Sequence, residues 1–485
     1  MVRSESRKSR SQPEPFNKWL IFSLVAVGIF MSTLDGSIVN VALPTIMAEL
    51  GVPLITVKWV VVIYLLVISS LLLSFGRLSD MWGRRWVYSR GLAVFSLGSL
   101  LCGLSPGALW LIASRALQGV GAAMIMACTP ALVVDVFPAT ERGRALGMLG
   151  TVVAGGLTMG PALGGMLLQF FPWRVIFYIN VPVGIAAALA TLKVLKRQSE
   201  TTSPEAFDWT GSILLMVCFT ALLTVLSRSN EWGYTSPPTL ALAGIFVISA
   251  IFLIWQETRT RHPIVEPGLF LNRLFSISIA AAVTLFISLS MISFLMPFYL
   301  VNPAGFAPAK TGGVLVIPFF FLFIGAPLAG ATSDRIGSRL LCTLGMFILA
   351  FCLLSFAWMP ASTEIWPVAW RLALSGIGVA TFSSPNSAAA MSAVTSQRRG
   401  IAAALVATAR NFGMVFGVTA AAVIFNLSFQ KASGGQSLQN YHHGMEPAFM
   451  TAFHQAMLCG AAFALLGALL SALRGKEKRW AALDS

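Results

Sequence analysis

The chain has 485 residues, of which 56% are hydrophobic and only 11% charged, and its mean hydropathy is +0.80. Soluble chains carry roughly 25% charged residues, so this composition excludes a water-soluble enzyme and favours an integral membrane protein. The net charge of +15 does not indicate nucleic acid, because the basic residues concentrate in loops on one side of the predicted spans.

Residues 1–18 are basic and polar and lack a small-residue cleavage site, which predicts a disordered cytoplasmic tail instead of a signal peptide. Apolar blocks of about 20 residues follow, the length that a helix needs to cross a ~30 Å bilayer core. Fourteen spans are predicted, near 19–44, 57–77, 87–105, 108–135, 145–169, 174–195, 209–227, 238–256, 275–301, 311–331, 339–358, 365–392, 400–427 and 449–473.

The distribution of Lys and Arg predicts the orientation of these spans. With the N-terminus inside, most of the 33 basic residues fall on the cytoplasmic side, as the positive-inside rule requires. The even number of spans then predicts that both termini lie in the cytoplasm. The six cysteines all lie in apolar blocks, which favours packing roles over disulfides or metal ligands.

The chain contains an internal repeat. The loops after spans 2 and 10 share the pattern G-x-x-S-D-x-x-G-x-R, beginning at Gly76 and Gly330, and "RALQGVGAA" (115–123) is echoed by "RLALSGIGVA" (371–380). Repeated halves are typical of transporters in which one half rocks against the other. The predicted organisation is a tail (1–18), a six-helix bundle (19–197), a linker with spans 7 and 8 (198–272), a second six-helix bundle (273–473) and a tail (474–485).

Asp35, within "FMSTLDGSIVNVALP", is the only acid deep in any predicted span. Desolvation favours the neutral form of an acid, so reversible protonation is feasible there. A structural carboxylate paired with Arg115 or Arg410 is the alternative, and the sequence leaves that partner open. A guanidinium in hydrocarbon must face protein or water, so both arginines are expected to point into a cavity or the bundle core.

Glycines at positions 156, 160 and 164 lie four residues apart and therefore share one face of span 5. Pro161 removes a backbone donor and bends the helix. A stripe of small residues permits close helix approach, and the contact between the two halves is the expected location.

These motifs resemble those of a known family. "GRLSDMWGRR" resembles the signature loop of the major facilitator superfamily, "RALQGVG" its fourth-helix motif and "GGLTMGPALGG" its antiporter motif. Together with "LDGSIVNVALP", "WRVIFYINVPVG" and fourteen spans, they make the chain similar to the 14-helix drug:proton antiporters. The resemblance implies an all-α integral membrane fold of two six-helix bundles plus two extra helices.

The function that the resemblance implies is a proton-coupled antiporter that exports hydrophobic or amphipathic small molecules, such as drugs and toxic compounds, by alternating access. The proton gradient would supply the energy, with no cofactor, since the sequence has no G-x-x-x-x-G-K-[ST] phosphate loop. A dedicated exporter of one lipid or amphipathic metabolite stays open. An uptake symporter is disfavoured by the span-5 motif, and an enzyme by the absence of clustered catalytic residues.

The resemblance also assigns roles to residues. Asp35 and Arg115 are the proton-coupling pair, although a structural role for Arg115 stays open. The conformational latch comprises Gly76, Asp80, Gly83, Arg84, Asp135 and Asp334. The antiporter motif comprises Gly156, Gly160, Pro161 and Gly164. The substrate cavity is expected to include Trp59, Tyr64, Asn40, Gln118, Arg410 and Asn386.

The expected partners are a small-molecule substrate, protons and membrane lipid, without nucleic acid or a metal site. The family is also compatible with a periplasmic adaptor protein, and a monomer is expected. Span 10 carries no acid, so neutral, monocationic or anionic amphiphiles are expected ahead of dications.

Overall fold

The computed structural model describes residues 18–138, 141–194, 208–233, 235–260, 267–361, 364–394 and 399–474. Every regular element within these residues is a helix, as expected where hydrocarbon leaves backbone groups no partner outside their own segment. Fourteen helices are long: α1 Lys18–Leu50, α2 Trp59–Trp82, α3 Arg84–Gly103, α4 Ala108–Val136, α5 Arg142–Phe170, α6 Asn180–Val194, α7 Trp209–Trp232, α8 Pro237–Arg259, α9 Arg273–Val301, α10 Ile317–Ile336, α11 Ser338–Phe356, α12 Ile365–Ser392, α13 Arg399–Ala432 and α14 Glu446–Ala472.

Each long helix coincides with one predicted span. Among the described residues, twelve are long and apolar enough to cross a membrane, some together with a short helix that precedes them. The other two are α3, which begins with two arginines, and α7, whose apolar part is limited to Trp209–Leu222. The chain is therefore a multi-pass membrane protein with twelve to fourteen candidate membrane helices.

The two ends of the helical bundle are each marked by an ion pair between a helix terminus and a neighbouring segment. At the end that carries Lys18, which we call the terminal end, Lys18 Nζ donates to Glu141 at 2.6 Å. At the opposite end, where α1 finishes, Arg174 pairs with Glu49. We call this the distal end.

The helices form two halves with the same internal packing. In the first half α1 packs on α5, α4 on both α2 and α3, and α3 on α6. In the second half α9 packs on α13, α12 on both α10 and α11, and α11 on α14. The predicted sequence repeat therefore has a structural counterpart, helix for helix.

The halves meet through α2 and α13, through α1 and α9, and through α5 with both α10 and the short helix Pro308–Leu315. The inserted helices α7 and α8 pack on each other, and α7 also contacts α2 and α13. Ser74 Oγ lies 2.8 Å from Ser212 Oγ and joins α2 to α7. The extra pair thus lies beside one of the contacts between the halves.

The repeated loop motif produces the same turn twice. Gly83 separates α2 from α3 with φ 92°, and Gly337 separates α10 from α11 with φ 88°. L-residues with a side chain rarely adopt this conformation, so glycine is required at both turns. Gly76, the other motif glycine of the first loop, lies inside α2 and a Cβ there would meet nothing within 4 Å.

The glycine stripe of α5 lies against α1, inside the first half, and the expectation that it forms the contact between the halves is wrong. A Cβ at Gly156 would lie 2.2 Å from Thr33 Oγ1, and one at Gly160 would lie 1.8 Å from Ser37 Oγ. Gly164 faces Ile38. In the second half, Gly413 and Gly417 of α13 lie in the same way against α9.

The contact between the halves at the distal end uses a neighbouring glycine. A Cβ at Gly165 would lie 2.8 Å from Gly312 Cα, and one at Gly312 would lie 2.3 Å from the Pro161 carbonyl oxygen. Gln439, in the loop between α13 and α14, also donates to the Gly51 carbonyl at 2.7 Å. Backbone-to-backbone packing and this hydrogen bond hold the distal end closed.

Candidate functional site

Asp35 lies at the middle of α1 and is completely buried. Its Oδ2 accepts a hydrogen bond from Nη1 of Arg115, which is also completely buried. The structure thus resolves the partner that the sequence left open: Asp35 pairs with Arg115 of its own half, not with Arg410.

Arg115 makes several further contacts. Its Nε donates to the Val60 carbonyl at 2.9 Å, and its Nη1 also donates to Gln118 Oε1 at 2.6 Å. The guanidinium lies over the ring of Tyr64, 4.0 Å from the centroid. The Tyr64 hydroxyl in turn donates to the Ser32 carbonyl at 2.9 Å. The cation is therefore held by α1, α2 and its own helix.

The second carboxylate oxygen of Asp35 has two amide donors. Gln118 Nε2 donates to Oδ1 at 2.9 Å, and Asn180 Nδ2 donates to the same atom at 3.0 Å. Gln118 Nε2 also lies 2.7 Å from Ser99 Oγ of α3. We call Asp35, Arg115, Gln118 and Asn180 the ion-pair cluster, and it draws its side chains from α1, α4 and α6.

Burial makes this cluster sensitive to any change in charge. Two charges removed from water are stable together only with good geometry and additional hydrogen bonds, and each becomes costly if its partner is neutralised. Arg115 Nη2 is buried and makes no hydrogen bond to a described residue. A change of protonation at Asp35 would therefore alter the charge that Arg115, Gln118 and Asn180 all face.

Local sequence explains how the cluster assembles. Arg115 and Gln118 are three residues apart and so share one face of α4. Gly98 allows α3 to approach this helix, since a Cβ there would lie 2.6 Å from Gln118 Cα. Gly119 likewise allows α2 to approach, with the Tyr64 carbonyl oxygen 3.0 Å from its would-be Cβ.

Sequence reasoning missed Asn180 and Ser99. Asn180 carries the only side-chain amide of span 6 and begins α6. An amide within an apolar span was the signal that could have identified it, because such a group requires a polar partner.

The six side chains expected in the substrate cavity lie in different environments. Trp59, Asn40 and Arg410 are half-buried, and Arg410 makes no hydrogen bond or ion pair with any described residue. Tyr64 and Gln118 are fully buried beside Asp35, so their placement differs from the expected cavity position. Asp35 is likewise completely buried, and its hydrogen-bond partners all belong to the first half.

Asn386 is buried and is held by packing contacts. Its Nδ2 donates to the Ser278 carbonyl at 3.1 Å, and its Oδ1 accepts from Arg474 at the end of the described chain. Arg474 Nη1 donates to Ser338 Oγ at 3.0 Å. Asn386 therefore fixes α12 to α9 and to the terminal segment, a packing role that differs from the expected substrate contact.

Part of the expected latch is assembled at the terminal end. Arg84 Nη1 donates to both carboxylate oxygens of Asp135 at 2.6 Å, which joins the start of α3 to the last turn of α4. Both side chains are roughly one-third exposed. The side chains of Asp80 and Asp334 lie outside the described residues.

Two repeated helical halves of membrane-spanning length, with an ion pair enclosed in one of them, define a polytopic helical membrane protein. The sequence profile of the Major Facilitator Superfamily matches residues 25–418. The chain belongs to this superfamily of transporters.

Several characterised relatives are similar over most of their length. The riboflavin transporter RibZ of Clostridioides difficile is 32% identical over 454 residues, which cover 94% of this chain and 97% of the relative. The multidrug resistance protein Stp of Mycobacterium tuberculosis is 34% identical, covering 83% of this chain and 75% of its own. The tetracenomycin C resistance and export protein of Streptomyces glaucescens is 29% identical, covering 84% and 76%.

The fold is also similar to a solved structure, a bacterial homologue of the human lysosomal transporter Spinster in an inward-facing, unoccupied conformation. The two share a TM-score of 0.67 and 14% sequence identity, over 96% of this chain and 98% of the other. At this level of identity the likeness concerns the fold alone.

Proposed function

We propose that the protein is a proton-coupled antiporter of the 14-helix type that exports hydrophobic or amphipathic small molecules by alternating access. It would lie in the bacterial inner membrane with both termini in the cytoplasm. The observation that carries the proposal is the fully buried Asp35–Arg115 pair in the half that also bears the antiporter motif. Relatives named for multidrug resistance and for drug export support the same class of activity.

In the proposed mechanism, Asp35 takes up a proton when the carrier is open to the outside and releases it to the cytoplasm. Protonation places a hydrogen on a carboxylate oxygen and removes the charge that Arg115 faces. The guanidinium then keeps the Val60 carbonyl and Gln118 Oε1 as neutral acceptors, and Asp35 no longer offers it a negative charge. The Arg115 side chain is therefore less strongly held and is expected to rotate or to bind another anion.

This change can reach the rest of the molecule through α1. The helix carries Asp35, packs along α5, and contacts α9 of the second half. A shift of α1 would therefore change the contact between the halves. The Arg84–Asp135 pair, with Asp80 and Asp334, would act as the latch that opens during this movement.

The substrate would contact the half-buried side chains of Trp59, Asn40 and Arg410. A guanidinium without a described partner favours ligands with an acceptor or a negative charge. Dications are expected to be poor substrates, because the apolar part of α10 carries no acid. The proton gradient is the only energy source proposed, and the transport unit is a monomer.

Transport in proteoliposomes tests the coupling. Wild-type protein is expected to exchange a fluorescent amphiphile for protons under an imposed pH gradient, whereas Asp35→Asn loses exchange that depends on the gradient. Arg410→Gln serves as a comparison that alters a charge outside the ion-pair cluster and should change substrate affinity without uncoupling. If Asp35→Asn exchanges the amphiphile for protons at the wild-type rate, the mechanism is refuted. Paired mono- and dicationic dyes in the same assay test the charge preference.

A dedicated exporter of one metabolite is the second candidate. The observation that favours dedication to one metabolite is the similarity to RibZ, a riboflavin transporter, over nearly the full length of both chains. Competition between riboflavin and structurally unrelated amphiphiles separates the two proposals. Saturable transport of riboflavin that unrelated amphiphiles leave unchanged would favour the dedicated carrier, and broad mutual competition would favour the multidrug exporter.

A further inference from the structure

A groove on the side of the first half lies between α1, α5 and α6 and has a volume of about 530 Å³. Its lining includes Phe30 and Leu34 of α1, Gly155 of α5, and Asn180 and Val183 of α6. Among these described residues only Asn180 has a polar side chain. Pockets that bind small molecules commonly have volumes of ~300–1,000 Å³ and an apolar lining with few polar groups.

The groove opens to the surroundings of the bundle. Its lining contains no described residue of the second half, so it is separate from the contact between the halves. Val183 is 44% exposed, and the long helices on which α6 mainly packs, α1 and α3, both belong to the first half. In a membrane-spanning chain such an opening faces lipid, so a ligand would enter from the bilayer.

Asn180 connects this groove to the ion-pair cluster. Its Nδ2 donates to Asp35 Oδ1 at 3.0 Å, while its Oδ1 makes no hydrogen bond to a described residue. Asn180 lines the groove, and Oδ1 is the atom of its amide that the ion-pair cluster does not use. An alkyl chain alone would leave that acceptor unsatisfied in hydrocarbon, which is unfavourable.

We propose that this groove binds a compact apolar molecule with one hydrogen-bond donor, a hydroxyl or an ammonium group, which donates to Asn180 Oδ1. Such a bond polarises the amide and strengthens the hydrogen bond from Nδ2 to Asp35. The ligand therefore stabilises the ionised carboxylate, and through it the pair with Arg115. The site depends neither on the direction of transport nor on the central substrate contacts.

Photoaffinity labelling of the full chain in lipid nanodiscs tests the site. The probe is a medium-chain primary alcohol that carries an alkyl diazirine, and its partner is the methyl ether of the same molecule, which cannot donate. The alcohol is expected to label residues of the groove in α1, α5 and α6, mapped by mass spectrometry. It should do so at least several-fold more strongly than the ether and be displaced by the unlabelled alcohol.

Two glycines of α5 provide a matched pair of variants. A Cβ at Gly155 would meet only Phe30 within 4 Å, at 3.9 Å, and Gly155 lines the groove, so Gly155→Leu is expected to occupy groove volume. Gly150 is exposed and a Cβ there would meet nothing within 4 Å, so Gly150→Leu adds the same side chain outside the groove. Labelling should be lost in Gly155→Leu and retained in Gly150→Leu.

Asn180→Ala tests the role of the amide and should reduce labelling by the alcohol to the level of the ether. Labelling that Gly155→Leu leaves unchanged would overturn the site. Equal labelling of the wild-type groove by alcohol and ether would overturn the requirement for a donor. If Asn180→Ala does not fold, the comparison of the two probes on wild-type protein still decides that requirement.

Discussion

At the scale of single residues, the Asp35–Arg115 pair is the feature on which most else depends. Neither side chain reaches water, and their hydrogen bonds extend to the Val60 carbonyl, Gln118 and Asn180. In such a site, removing one partner costs more free energy than forming the pair contributes, because the remaining charge is buried without a partner and without solvent.

Single replacements of the pair are therefore expected to be worse than the double replacement. Asp35→Leu or Arg115→Met alone should lower the free energy of unfolding by roughly 3–5 kcal/mol, whereas the double variant should recover a large part of that loss. Unfolding in detergent, followed by denaturant titration, measures all three. Losses that simply add in the double variant would show that the two charges do not interact.

At the scale of helices and turns, glycines that belong to the same sequence motif have different structural roles. Gly83 permits a backbone turn, Gly76 occupies open space within α2, and Gly160 permits close contact with α1. The consequences of adding a methyl group therefore differ sharply among them.

The two motif glycines of the first loop should respond in opposite directions to alanine. Gly83→Ala forces a side chain into φ 92° and is expected to cost about 1–3 kcal/mol. Gly76→Ala removes a flexible residue from a helix interior without a clash and should stabilise by up to ~1 kcal/mol. Melting temperatures in detergent compare them. A wild-type melting temperature for Gly83→Ala would contradict the requirement for glycine at this turn.

In the glycine stripe, Gly160→Ala is expected to destabilise the first half by about 1–3 kcal/mol, since its Cβ would lie 1.8 Å from Ser37 Oγ and 2.9 Å from the Ile38 amide. Ser37→Ala in the same chain removes the nearer atom and should restore part of the loss. Gly150→Ala, at an open position of the same helix, is the control. Equal melting temperatures for Gly160→Ala and Gly150→Ala would argue against tight packing of α5 on α1.

At the scale of the whole molecule, the halves are held together at the distal end by close backbone packing. Gly165 and Gly312 meet there without side chains, and Gln439 donates to the Gly51 carbonyl at the same end. Packed interfaces of this kind switch between a few discrete arrangements. A bulky side chain inserted there is therefore expected to shift the population toward the separated arrangement instead of deforming the contact gradually.

Gly312→Leu is therefore expected to open the distal end and to accelerate hydrogen–deuterium exchange in the loop 433–445. Gly313→Leu is a matched control, because that neighbour is exposed and a Cβ there would meet nothing within 4 Å. Its exchange should equal that of the wild type, and transport should be reduced only in Gly312→Leu. The same exchange in both variants would mean that the Gly165–Gly312 contact does not hold the halves closed.

The sequence by itself determined the class of protein, the position of the spans and the repeat of the two halves. These properties follow from local composition, since hydrocarbon thickness sets the length of each apolar block and duplicated motifs retain their spacing. Asp35 was identified for the same reason: one acid in an apolar block is visible without knowledge of its neighbours.

Only the tertiary structure decided which groups meet. Arg115, not Arg410, faces Asp35; the stripe of Gly156, Gly160 and Gly164 faces α1; and Asn180 arrives from another helix as a third partner of the carboxylate. Sequence spacing fixes which residues share a face of one helix, but not which helix that face meets. That choice depends on the rotation and neighbours of every helix in the bundle, and these are set by packing between segments far apart in the chain.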